Sequence, residues 1–296
     1  GARTNRANLT RYRLSKCWVV FIGECMKQFK IFICLSMCIL YLSCEQPSIN
    51  DETDKVLLGQ KVAISAGHGL SYNSDTNTWN YQRSELNGIL EDIYTQEFCM
   101  NYLAPKLKEE GAEVIFLRNE DNNYYGLSGY EAWKEDAITY ISSKGYEEFP
   151  GDYNDVTIRP AYAKKMEADI FISIHLDKIN EITRGTHIAV FGEMNFPTNI
   201  RSDYNYQSSS LLLATKMQEN LFNSAIAYDP TWNNLGLFEG NLGELREFYN
   251  DWYSGLGDIP SVMVFLGCID NVDDIKMLIE DDFKRALAEA IVLSLK

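Results

Sequence analysis

Apolar residues in this chain come in short runs that stop at glycine or histidine, alternating with longer stretches where they recur every three or four positions. The first clear run is Lys61 to Ala66, inside the stretch VAISAGHG from Val62 to Gly69. Val62 and Ile64 suit a buried strand, and Gly67 and Gly69 allow a sharp turn that leaves His68 at the strand's end. A polar loop from Leu70 to Gly88 follows, carrying Trp79 and Arg83. Leu90 to Glu110 has helical spacing: Cys99, Leu103 and Leu107 form one stripe, with Tyr94 and Phe98 beside it. Pro105 predicts a kink in this helix and Gly111 a stop. Glu91 then falls at the helix's first turn. Ala112 to Leu117 is the next strand, which closes a βαβ unit.

Further along, Arg118 to Thr157 is long, acidic and aromatic, with a helix predicted over Tyr130 to Ser143. A helix from Arg159 to Ala168 leads into the strand Asp169 to His175 (DIFISIH), which again ends in histidine. Arg184 to Phe191 reads as a β segment and Ser208 to Phe222 as a helix. Asn223 to Asp258 reads as irregular, with a short helix over Leu242 to Tyr249. Ser261 to Leu266 (SVMVFL) is a buried strand between Pro260 and Gly267, and Glu280 to Leu293 is the last helix. This alternation predicts a single α/β domain over residues 61–296, with a mostly parallel twisted sheet flanked by helices on both faces.

The N-terminal part reads as an address rather than as fold. From Met26, Lys27 and Lys30 precede a twelve-residue apolar run, Ile31 to Leu42, which is too short to span a bilayer. The run ends in Leu42-Ser43-Cys44 and resembles a bacterial lipoprotein lipobox. That resemblance implies a signal peptide over residues 26–43, acylation of Cys44 and a lipid anchor to a membrane. A short buried hydrophobic helix is the alternative. Residues 1–25 read as an over-extended N-terminus and residues 44–60 as a polar tether.

Seven of the 27 basic residues and one of the 42 acidic residues precede Cys44, so the remainder carries 20 against 41, a formal charge of −21. Such a surface excludes nucleic acid as a partner, because phosphate binding needs basic patches. Of seven cysteines only Cys99 and Cys268 fall in the fold, which excludes a cysteine-rich zinc cluster and gives a disulfide scaffold no support.

Three residues from separate elements carry the candidate chemistry: His68, Glu91 and His175. Two imidazoles and a carboxylate suit zinc, with a fourth position left for water. Taken by themselves the two histidines also read as polar caps of strands. His187, inside RGTHIAVF, reads as a strand residue rather than a ligand. Arg83 reads as a substrate contact or a surface ion pair. Tyr124, Tyr125, Tyr130 and Trp133 read as a sugar or peptide groove, or as the core of a lid.

The order of these elements resembles the zinc-dependent N-acetylmuramoyl-L-alanine amidases of the amidase_3 type. That family has a strand ending in GHG, a Glu opening a long helix, and an Arg one helix before a strand ending in S-I-H. A strand of the form P-x-V-L-V-E-x-G-F then precedes the final helix. VAISAGHG, Glu91, Arg159 with ADIFISIH, and IPSVMVFLGCIDN match these in turn. The resemblance implies Zn2+ held by His68, Glu91 and His175, with Arg159, which matches the family's arginine, either binding substrate or orienting Glu91 structurally. It implies cleavage of the muramoyl–alanine amide of peptidoglycan in the bacterial cell envelope.

One departure stands out. Phe265 occupies the position of the family's catalytic glutamate, the base that deprotonates the metal's water. A positioned base contributes roughly 10²- to 10⁴-fold in rate. Glu244 and Glu247 are candidate replacements by nearness in sequence, or else residues on a solvated helix face. Asp270 is another candidate, or a turn residue. A catalytically weak or inactive relative that binds wall fragments or a partner is the alternative function.

Overall fold

The computed structural model describes residues 55–73, 76, 78–118, 139, 155–192, 207–240, 242–249, 252–255 and 259–296. Cys44, the apolar run before it, most of the tether and the aromatics Tyr124, Tyr125, Tyr130 and Trp133 lie outside these residues.

Among the described residues, ten strands and six α-helices follow in chain order. They are β1 (Lys61–Ala66), β2 (Leu70–Asn73), β3 (Thr78–Tyr81), α1 (Glu91–Phe98), α2 (Ala104–Glu109), β4 (Glu113–Phe116), α3 (Asp155–Lys165), β5 (Ile170–Asp177) and β6 (Thr186–Phe191). Next come α4 (Gln207–Tyr228), β7 (Asn234–Gly240), β8 (Arg246–Tyr249), β9 (Trp252–Gly255), β10 (Ser261–Cys268), α5 (Val272–Leu278) and α6 (Asp281–Ser294).

Six strands form the central sheet in the order β4-β1-β5-β10-β6-β7. β4, β1, β5 and β10 run parallel, β6 is antiparallel to β10, and β7 is parallel to β6. The sheet is buried on both faces, which explains the near-continuous apolar runs of β1, β5 and β10. Val62, Ile64, Ile172, Ile174, Val262 and Val264 join one core with residues of α1, α4 and α6. Ala63, Phe171, Ala189 and Met263 join the other with Ala163 of α3 and Leu245. Phe283, Leu287 and Ile291, spaced one turn apart on α6, are completely buried. Among the described residues no helix is long and apolar enough to cross a membrane.

The structure corrects the sequence expectations at four places. The long helix from Leu90 does not simply kink at Pro105. It widens into a π-helical turn over Cys99–Leu103, because proline cannot donate to the Asn101 carbonyl. The polar loop after Gly69 contains the hairpin β2–β3, in which Tyr72 pairs with Trp79. The segment expected to be irregular extends α4 to Tyr228 and then supplies β7, an edge strand of the sheet. The helix expected over Leu242 to Tyr249 is a 3-10 turn, Gly243–Leu245, followed by β8, which pairs with β9. Glu244 therefore faces inward, 2% exposed, instead of lying on a solvated helix face. Glu247 sits in β8 in register with Ser254, and its side chain is outside the described residues.

Candidate metal centre

The site lies at the C-terminal ends of β1 and β5, where open α/β sheets carry their ligands. β1 stops at Ala66, and the next amide, Gly67 N–H, still donates to the Ile174 carbonyl at 2.8 Å. A Cβ on Gly67 would lie 2.5 Å from Cε1 and Nδ1 of His175, so only glycine lets that imidazole rest against the turn. His68 follows with φ of 57°, a left-handed conformation that costs a non-glycine residue about 1–3 kcal/mol.

Two buried guanidinium groups hold the turn in that shape. Arg118 Nη1 donates to the carbonyls of Ala66 (3.1 Å) and Gly67 (3.0 Å). Arg159 Nη1 donates to Ala66 O at 2.7 Å and Arg159 Nη2 to His68 O. From the other side, the α1 residue Asp92 accepts the Gly69 amide at 2.8 Å, and Thr95 Oγ1 donates to Gly67 O at 2.9 Å.

Glu91 opens α1 and is 5% exposed. Its Oε1 accepts the Leu176 amide at 3.0 Å and lies 3.4 Å from His68 Nε2 and 3.3 Å from His175 Nδ1. One ligand atom from each of the three residues falls within 4.8 Å of the others. The imidazoles meet edge to face at 4.9 Å. Burial works to raise the Glu91 carboxyl, but hydrogen bonds from His175 and His68 and their charge outweigh it and hold the group at about 2. Burial works to lower His175, yet the charges of Glu244 and Glu91 and their hydrogen bonds raise it to about 9. Two imidazole nitrogens and an ionised carboxylate, brought together by a close-packed glycine turn, fit a zinc ion.

The other sequence candidates fall in different places. Arg83, 56% exposed, stands at the open side of the trio with Nε 3.1 Å from His68 Nε2 and 3.9 Å from Glu91 Oε2. Arg159, expected to meet substrate or to orient Glu91, has no exposed surface, and its guanidinium serves the His68 turn and Glu244. Glu244 lies on the inner side of His175, nearest to Nε2 at 3.5 Å and away from the Nδ1 edge that faces Glu91. It accepts from Arg159 Nη1 at 3.0 Å, from Ser65 Oγ at 2.6 Å and from Ser173 Oγ. Burial works to raise its carboxyl, but the charges of Arg159 and His175 and hydrogen bonds with His175 and Ser173 outweigh it and hold the group far below the usual range.

Phe265 is in register with His175, and the two rings sit 5.7 Å apart. His187 stays out of the trio; it stacks on Phe265 at 4.4 Å and pairs with Asp177 at 2.9 Å. Asp270 lies in the turn after β10. Cys99 and Cys268 are free buried thiols, pushed up to about 12 by burial. Sequence reasoning missed Arg118, Asp92, Ser65 and Ser173. Arg118 carried a signal in being a basic residue directly after a buried strand; a serine inside an apolar strand carries little.

Comparisons with known proteins give the chain's family. A family model described as N-acetylmuramoyl-L-alanine amidase matches residues 62–296. An uncharacterised cell wall amidase of Bacillus anthracis is 32% identical over 251 residues, 85% of this chain but 38% of that protein. YqiI of Bacillus subtilis, itself uncharacterised, is 27% identical over 79% of this chain and 82% of its own length. Among solved structures, the amidase Ami1 of Mycobacterium abscessus covers 80% of this chain and 97% of its own, with TM-score 0.52 and 17% identity. Ami1 of Mycobacterium smegmatis gives 0.51 and 18%, over 81% of this chain and 96% of its own. At those identities the likeness is one of fold. The family match, by contrast, runs from β1 through all three elements of the trio to the last helix, and this chain belongs to the N-acetylmuramoyl-L-alanine amidase family.

Proposed function

We propose that the chain is a zinc-dependent peptidoglycan amidase of the bacterial cell envelope. It hydrolyses the amide between the lactyl group of N-acetylmuramic acid and the L-alanine of the stem peptide. The observation that carries this reading is the convergence of His68 Nε2, Glu91 Oε1 and His175 Nδ1, which would hold the ion. When bound, zinc polarises a carbonyl as a Lewis acid and brings the pKa of a water to roughly 7.

The chain's own residues prepare that site. Glu91 is kept ionised and one of its oxygens is fixed by the Leu176 amide. Arg118 and Arg159 fix His68 through backbone carbonyls. Arg83, 56% exposed beside Glu91, would donate to an acceptor group on the substrate. In this reading Cys44 carries the lipid that ties the domain to a membrane, and the acidic surface stays clear of nucleic acid. Because the chain spans 38% of the Bacillus anthracis relative, activity and substrate are taken from the site and the family, not from that protein as a whole.

Phe265 favours a second reading: a catalytically weak or inactive relative that keeps zinc and binds wall fragments or a partner. Incubation of the purified protein with peptidoglycan separates the two. Release of stem peptides with a free L-alanine amine, abolished by chelator and restored by zinc, supports the amidase. No release at high protein concentration, with zinc bound, leaves the second reading.

A further inference from the structure

We propose that Ser173 and Glu244 form a hydrogen-bond relay that sets the tautomer and tilt of His175, making Glu244 a positioning residue for the metal centre and not its base. The inference rests on the metal reading of the trio. It accounts for a buried carboxylate that the reaction as outlined above does not use.

Donor and acceptor accounting fixes the direction of the relay. Glu244 as a carboxylate can only accept. Ser65 Oγ donates to Oε2 at 2.6 Å, Ser173 Oγ donates to the same oxygen, and Arg159 Nη1 donates to Oε1 at 3.0 Å. The Ser173 hydroxyl proton is thereby committed to Glu244, so its oxygen meets His175 as an acceptor. That oxygen lies 3.0 Å from His175 Nε2. Nε2 must then carry a proton, and in the neutral imidazole that a metal ion requires it is the only one. The lone pair is left on Nδ1, the atom 3.3 Å from Glu91 Oε1.

The sheet builds this relay at a fixed place. Ser65 on β1 and Ser173 on β5 are direct register partners, so both hydroxyls stand on one face. His175 is two residues beyond Ser173 on the same strand and points to the same side. Glu244 enters beneath them from the 3-10 turn, and Arg159 of α3, completely buried, closes the end of the relay. Ser65 and Ser173 are themselves fully buried, so no bulk solvent competes for these bonds. Metal-ligating histidines ordinarily donate their second ring N–H in this way, and loss of such a partner typically weakens metal binding 10- to 100-fold.

The test is zinc affinity of the whole chain, measured by competition with a chromogenic chelator, with imidazole 1H–15N long-range spectra of the chelated protein above about pH 9, where the ring is neutral, to read the tautomer. Ser173→Ala cuts the relay but leaves the Arg159–Glu244 pair intact. It is expected to weaken zinc about 10- to 100-fold and to replace the single Nε2–H tautomer of His175 by a mixture. Ser173→Thr keeps the hydroxyl and is expected to lose clearly less zinc affinity than Ser173→Ala, the added methyl at this fully buried position being its only cost. Ser173→Ala that binds zinc like wild type, or an equal loss in Ser173→Thr, overturns the relay. Wild-type protein that takes up no zinc overturns the metal reading itself, and the relay with it.

Discussion

Phe265 stands in register between two histidines, His175 on β5 and His187 on β6, with ring centroids 5.7 Å and 4.4 Å away. The phenyl ring thus fills the position beside His175 from which the resemblance expects a glutamate to act. Phe265→Glu places a carboxylate on the same strand and face. We expect it to raise amide hydrolysis by roughly 10²- to 10⁴-fold. The check is stem-peptide release by both proteins under zinc-saturated conditions. Equal rates in the two would mean that another group of this chain already takes the proton.

Arg159 and Glu244 make a buried pair, 0% and 2% exposed at their side chains, in which each satisfies the other at 3.0 Å. Removing one partner of such a pair leaves an uncompensated buried charge and costs about 3–5 kcal/mol. Arg159→Met should therefore lower the unfolding midpoint sharply. Glu244→Gln also removes one charge, but it keeps an acceptor for the arginine and leaves the arginine's bonds to the Ala66 and His68 carbonyls in place, so it should cost less. Chemical denaturation of both variants in chelator, so that metal binding does not contribute, measures the difference. A loss in Arg159→Met no larger than that in Glu244→Gln would contradict the ranking.

The same pair shows how far the sequence could be read. His68 and His175 were legible because each ends an apolar run, and Glu91 because it opens a helix whose stripe is visible through Leu107. Glu244 was not, since LGELREFY has locally helical spacing and its strand partner, Trp252–Gly255, is recognisable only once the chain has folded back. Arg159 was read as either binding substrate or orienting Glu91, and its burial could not be foreseen because nothing in a sequence marks an arginine as buried, a rare state that needs a partner. β2 and β3 were hidden by the Ser, Asn and Asp residues around them, which read as loop chemistry. The sheet core, by contrast, followed directly from continuous Val, Ile and Leu runs covered on both faces.

Gly67 should be the least replaceable residue of the turn. Its added Cβ would meet His175 Nδ1 at 2.5 Å and the Ile174 carbonyl at 2.6 Å, and neither lies at the end of a flexible chain. Gly67→Ala must push β5 or the imidazole away, at about 1–3 kcal/mol of overpacking strain. The displaced atom is a ligand, so zinc stoichiometry should fall below one per chain at concentrations that saturate wild type. Elemental analysis after gel filtration tests this, and full retention of zinc would show that the turn can yield.

Metal should change the pH dependence of stability: the chelated chain loses the His175 contribution as pH rises, and zinc binding, by displacing that proton, offsets the loss. In the metal-free chain His175 is raised from 6.5 to about 9, so its protonated form stabilises the fold fully below pH 6.5, and that contribution is lost as pH rises through about 9. Glu91 is lowered from 4.5 to about 2, so its contribution is present above pH 4.5 and is lost as pH falls through about 2. Chelated protein should therefore melt highest between about pH 4.5 and 6.5 and lose stability toward pH 9. Zinc needs His175 without its proton, so binding displaces one, and affinity should rise about tenfold per pH unit up to about pH 9. The gap between zinc-loaded and chelated melting temperatures should widen from pH 6.5 to 8.5, with a zinc affinity increase of about 100-fold over that interval. Paired melts and chelator competition at the two pH values measure both quantities. A gap and an affinity that stay flat would mean that His175 does not exchange a proton for the ion.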